Sequence, residues 1–115
     1  MAPKKKNPLN LNSLQLKTLT LLQALAQLPD HAQPGEAAGT MRVGNLPHPH
    51  GDHFHLGGAA VAARDATGLG NQAVWVALER KGLIRSGFPF EALLTAEGLN
   101  YDTGLGESLL HRATH

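Results

Sequence analysis

Four of the seven histidines in this 115-residue chain fall within eight positions, His48-Pro49-His50-Gly51-Asp52-His53-Phe54-His55, with a carboxylate among them. Imidazole is the commonest metal-binding side chain and the one whose charge changes near neutral pH. Such a stretch can serve a metal ion, a proton or a polar ligand. Any three or four of His48, His50, Asp52, His53 and His55 offer nitrogen and oxygen donors to zinc, nickel or copper. Adjacent histidines on one strand diverge, so a closed site requires loop folding or a second subunit. The same imidazoles also suit a solvent-facing hairpin that holds no ligand, or a pH-sensitive contact. No cofactor is certain from this pattern, and zinc is the ion it would suit.

The elements that position these residues belong to one small domain. At 115 residues the chain supports a single core, and its 42% apolar and 17% charged content is that of a globular protein. Cysteine is absent, which excludes disulfides and thiolate zinc sites. Polar residues Asn10, Asn12, Ser13, Gln15, Lys17 and Thr18 interrupt the N-terminal leucines, so neither a signal peptide nor a membrane span is expected, and a cytoplasmic location is. The net charge of +1 hides an asymmetry. Without Lys4, Lys5 and Lys6, seven basic residues face nine acidic ones, leaving about −2. Residues 1–10 read as a disordered basic tail, 11–103 as the domain and 104–115 as a flexible C-terminal segment.

Within the domain, Asn12-Ser13-Leu14-Gln15 fits a capping box, and Leu14, Leu21, Leu22, Leu25 and Leu28 share one side of a helix over residues 12–28. Pro29 ends that helix. Residues 29–39 read as a loop. Thr40-Met41-Arg42-Val43 and His53-Phe54-His55-Leu56 alternate as strands do, which predicts a hairpin joined by the histidine-containing loop, with Phe54 and Leu56 inward and His53 and His55 toward solvent. Gly57-Gly58 would open a helix to about Ala66, and residues 67–70 a tight turn. Asn71 caps a further helix over residues 72–81, with Val74, Ala77 and Leu78 inward and Gly82 after its end. Residues 83–85 and 90–94 read as strands joined by Ser86-Gly87-Phe88-Pro89. Thr95 would cap a last short turn, and Tyr101 packs back.

This order, together with Ala77-Leu78-Glu79-Arg80-Lys81-Gly82-Leu83-Ile84 and Leu94-Thr95-Ala96-Glu97-Gly98-Leu99, resembles winged helix-turn-helix domains over about residues 12–99. The resemblance implies a small α+β domain with three main helices and a short β-hairpin, and a recognition helix over residues 71–81 that enters the major groove. It implies DNA or a protein partner at Asn71, Gln72, Trp75, Glu79, Arg80 and Arg85. Gln72 would read adenine and Arg80 a phosphate or guanine. Trp75 on the outward side would suit a protein anchor, whereas turned inward it would pack against helix 1 or the histidine loop. Glu79 would meet phosphates with the wrong sign. A monomer or weak homodimer is expected.

His48-x-His50-x-Asp52-His53 also looks like the metal signature of metallo-β-lactamase-type hydrolases. That family needs a much larger sandwich and further ligands downstream, where this chain has only His111 and His115. The match is therefore read as coincidental. No cysteine nucleophile, Gly-x-Ser-x-Gly elbow or complete dinucleotide fingerprint is present, so no enzyme is expected. The expectation is a winged-helix-type regulatory or interaction module, with metal binding at the histidine cluster as the alternative.

Overall fold

The first helix forms where its cap is encoded. In the computed structural model, which describes residues 7–49, 51–109 and 111–112, α1 spans Ser13–Leu25. Asn12 Oδ1 accepts from the Gln15 N–H at 2.8 Å, and Gln15 Oε1 accepts from the Asn12 N–H at 3.0 Å. These reciprocal bonds satisfy two donors that no helical carbonyl can reach. The helix stops three residues before the expected end. Burial runs further round it than a single leucine stripe would suggest, because Thr18 and Thr20 are buried beside Leu19, Leu21, Leu22 and Leu25. Each threonine Oγ1 donates back to a carbonyl four residues earlier, Leu14 and Leu16, so its hydroxyl is not left unpaired.

Two small antiparallel sheets follow in a mixed α+β fold. One contains β1 (Ala32–Pro34), β2 (Met41–Val43), β5 (Ile84–Gly87) and β6 (Glu91–Leu94), in the spatial order β1-β2-β6-β5. The other contains β3 (His53–Leu56), β4 (Ala59–Ala62) and β7 (His111–Arg112), in that order. α2 (Gln72–Arg80) precedes β5, and the short α3 (Ala96–Asn100) and α4 (Gly106–Leu109) follow β6.

This pairing overturns three expectations. Residues 41–43 and 53–56 do not form a hairpin with each other. β2 pairs with β1 and β6, while β3 pairs with β4 in the register His53↔Ala62 to Leu56↔Ala59. Nor does Gly57-Gly58 open a helix. It is the two-residue loop of the β3–β4 hairpin, and Gly57 sits at φ +60°, a conformation that glycine adopts without the penalty of a Cβ. Alanine-rich residues 59–63 favour helix locally, but pairing and the complete burial of Val61 place residues 59–62 in a strand. Only two successive 3₁₀ turns, Ala63–Asp65 and Thr67–Gly70, precede α2. β1 lies in the segment read as a loop. It is an edge strand ending on Pro34, where a missing N–H is tolerated.

The core is the space among α1, α2 and the sheets, filled by Leu19, Leu22, Val43, Val61, Trp75, Leu78, Ile84 and Leu94. Gly98 lets α3 approach β5 closely, since a Cβ there would overlap the Leu83 carbonyl. Residues assigned to the tails also take part. Tyr101 Oη donates to Asn7 Oδ1 at 2.6 Å and accepts from the Leu9 N–H at 3.1 Å. Leu109 is buried, and β7 pairs with β4. Residues 1–6, 110 and 113–115 of those tails lie outside the described residues. Among the described residues, no helix is long and apolar enough to cross a membrane.

Candidate functional site

Two surfaces carry the residues singled out in the sequence. The first is the outer side of α2. Asn71 caps the helix with its Oδ1, accepting from the Ala73 N–H at 3.1 Å, so its side chain is held by the backbone. Val74, Trp75 and Leu78 turn inward. The exposed residues are Asn71, Gln72, Ala73, Glu79 and Arg80, with Val76 and Ala77 half-buried. Gln72, Val76 and Arg80, four residues apart, form one ridge of the helix. Lys81 and, on β5, Arg85 are exposed as well, placing three cations in the stretch that leaves the helix and enters the sheet.

Trp75 takes the inward of its two placements. It is fully buried, its indole N–H donates to the Gly68 carbonyl at 3.1 Å, and the Phe88 ring meets it edge-on at 5.2 Å between centroids. A tryptophan can be buried at low cost when its one donor finds a carbonyl, and here the 3₁₀ turn before α2 supplies it. Trp75 is therefore a core residue and offers no surface to a partner. Glu79 is also engaged by the fold, since its Oε2 accepts from the Ser86 N–H at 3.1 Å and so ties α2 to β5. The turn after β5 then presents Phe90, which is 78% exposed and the one large hydrophobic side chain so exposed among the described residues. Sequence reasoning missed Phe90 by reading it as the first residue of a strand. The available signal was its place just after Phe88-Pro89 in a turn.

The second surface is β3. Alternation along the strand sends Leu56 into the core and packs Phe54 against it, while His53 and His55 share the opposite face. These two histidines, expected to diverge along the strand, converge instead, because residues two apart share a face: their Nε2 atoms lie 3.1 Å apart, with ring centroids at 4.7 Å and planes inclined by 79°. Asp52 Oδ1 is 3.2 Å from His53 Nδ1. That contact with His53 holds the Asp52 carboxyl below the usual carboxylate range. The structure thus gathers His53, His55 and Asp52. His48 is exposed in the loop ahead of them, and His50 lies outside the described residues. Among the described residues, no group of three or more histidine, aspartate or glutamate side chains is arranged to hold a metal ion. Of the described candidates, Asp52 turns to the far nitrogen of His53 instead of joining the two Nε2 atoms.

No family model, curated protein or solved structure matches this chain. What it does must be judged from these two surfaces. Among the described residues, no buried side-chain nitrogen or oxygen lacks a hydrogen-bond partner, so the polar groups open to a ligand are those at the surface.

Proposed function

We propose that this chain is a DNA-binding module of winged helix-turn-helix type, with α2 as the helix that enters the major groove and the β5–β6 hairpin as the wing. The observation that carries the reading is topological. A helix followed directly by an antiparallel hairpin, with the earlier strand β2 pairing to the second hairpin strand, gives the order β2-β6-β5 beside α1 and α2. In that arrangement a helix is presented with its outer ridge free, and Gln72 and Arg80 occupy that ridge. Gln can bond bidentately to adenine and Arg to guanine or a phosphate. Arg85 at the start of the wing and Lys81 at the helix end add sequence-independent attraction. The engagement of Glu79 by the Ser86 N–H favours the reading too, because that carboxylate is drawn toward the wing.

The test is fluorescence anisotropy with mixed-sequence duplex DNA between low and physiological salt. Binding should weaken steeply with salt, and Arg80→Ala and Arg85→Ala should each lower the slope of log K against log salt by about 1. Replacing Lys4, Lys5 and Lys6 by alanine separates the N-terminal lysines from the helix. If that change removes all binding while Arg80→Ala and Arg85→Ala change nothing, α2 is not the DNA-reading element.

One observation favours a second reading, a protein-interaction module. Phe90 projects from the wing turn beside a surface depression of about 410 Å³ bordered by Pro29, His31, Arg42 and Glu91. An exposed aromatic beside a concavity is the usual anchor of a protein contact. Absence of duplex binding at low salt would favour this reading.

A further inference from the structure

We propose that His53 and His55 chelate a divalent first-row transition ion, with Asp52 orienting one of the two imidazoles. The strand brings the imidazoles together, since residues two apart share a face of β3. An ion at the usual zinc–imidazole distance of about 2.0–2.1 Å from both Nε2 atoms would subtend an angle of about 100° between them. That value follows from their 3.1 Å separation. It lies between the right angle of a square-planar site and the tetrahedral angle, so copper, nickel and zinc geometries are all within reach of small ring rotations.

Asp52 supplies the part of a metal site that is easiest to overlook. Its Oδ1 stands where it accepts the Nδ1–H of His53. In that tautomer the Nε2 lone pair of neutral His53 is directed toward His55. A carboxylate on the far nitrogen of a ligand histidine fixes the ring and raises its basicity, as in carboxylate–histidine–zinc arrangements. In the ion-free chain the two Nε2 atoms sit at hydrogen-bond distance, so one must carry a proton that the other accepts. For an ion to bind between them, neutral His55 carries its proton on Nδ1 instead, which leaves both Nε2 lone pairs to the ion with no net proton released.

His53 faces Ala62 across the strands and His55 faces Ala60, so the cross-strand neighbours of both imidazoles are methyl groups. Ala60 is also the register partner of His111 on β7, which sets another histidine position in the same row of the ladder. His53 retains about a third of its side-chain exposure, so ions can enter from solvent. With two protein nitrogens as the core of the site, water completes the coordination and the ion exchanges. This proposal is independent of the reading of α2, and its failure leaves that reading untouched.

The experiment titrates the full chain with ZnCl₂ and separately NiCl₂, followed by calorimetry and by the imidazole ¹⁵N resonances. One ion per chain should bind, with both Nε2 resonances shifting and the melting temperature rising with ion concentration. His53→Ala and His55→Ala should each abolish binding at concentrations that saturate the parent. Asp52→Asn should weaken it roughly tenfold, the lower end of what a lost outer-shell partner costs. His48→Ala should leave it unchanged. Neither imidazole contributes to the buried core, so unchanged far-UV circular dichroism is expected in both alanine variants. The Nε2 shifts of the parent report on the site should a variant fail to fold. Absence of saturable binding at millimolar zinc and nickel overturns the proposal. So does binding that survives His53→Ala and His55→Ala, or that His48→Ala removes.

Discussion

The outer face of α2 and the outer face of β3 are both polar strips laid over buried apolar residues, yet their polar groups are used differently. Around α2, several of the groups that stood out in the sequence are absorbed by the fold. Asn71 caps, Glu79 accepts from Ser86, and the Trp75 indole donates to Gly68. What is left outward is a sparse ridge of Gln72, Val76 and Arg80. On β3, the polar groups engage one another instead: Asp52 with His53, and His53 with His55. A side chain that bonds to its own backbone scaffold holds the fold together. Side chains that bond to one another can hold geometry around a point, where a third species can be received.

The strongest challenge to this contrast is Trp75→Ala. If Trp75 belongs to the scaffold, the change removes a fully buried indole and its edge-to-face contact with Phe88. The expected cost is about 3–5 kcal/mol, with a fall in melting temperature of roughly 10 °C or more. Chemical denaturation measures it, and a loss below about 1 kcal/mol would return Trp75 to the surface. Next in size is Gly57→Ala, which probes whether the β3–β4 loop fixes the histidine strand. The substitution forces a Cβ onto a residue at φ +60° and brings it within 2.9 Å of Leu28 Cδ2. A destabilisation of about 1–2 kcal/mol is expected. The amides of β3 and β4 should also exchange faster than those of β5 and β6. Equal acceleration in both sheets would mean that the hairpin has no independence.

Much of the scaffold was legible because its signals are local. The capping box at Asn12, the caps at Asn71 and Thr95, and Gly82 at φ +78° each follow from residues within a few positions. What was not legible depended on partners distant in the chain. β1 holds only three residues and ends on a proline, and it is a strand only because β2 lies alongside. Residues 59–63 carry a helical composition, and the decisive signal was Gly57-Gly58 between two short apolar runs. The orientation of Trp75 could not be read from periodicity, since it lies at the border between the two faces of α2. A carbonyl seven residues earlier and a phenylalanine in the turn between β5 and β6 decide its burial. In the histidine cluster, spacing suggested five donors. Alternation already put His53 and His55 on one face, but the meeting of their Nε2 atoms and the place of Asp52 behind His53 depend on side-chain rotamers that spacing does not encode.

The smallest expected effect separates the scaffold from the surface within α2 itself. Glu79→Gln keeps an oxygen that can accept from the Ser86 N–H, so the link to the wing survives while the charge is lost. Stability should change by no more than about 0.5 kcal/mol, as for a typical surface substitution. If α2 meets DNA, removal of a negative charge beside Arg80 should raise duplex affinity. That gain should shrink as salt screens the interaction, because charges at a wet interface act through a Debye length of about 10 Å at 0.1 M salt. Anisotropy titrations of both proteins at two salt concentrations measure it. An unchanged affinity at low salt would place the phosphates away from this end of the helix. A fall in stability well beyond 0.5 kcal/mol would show that the carboxylate charge, beyond its hydrogen bond, holds α2 to the wing.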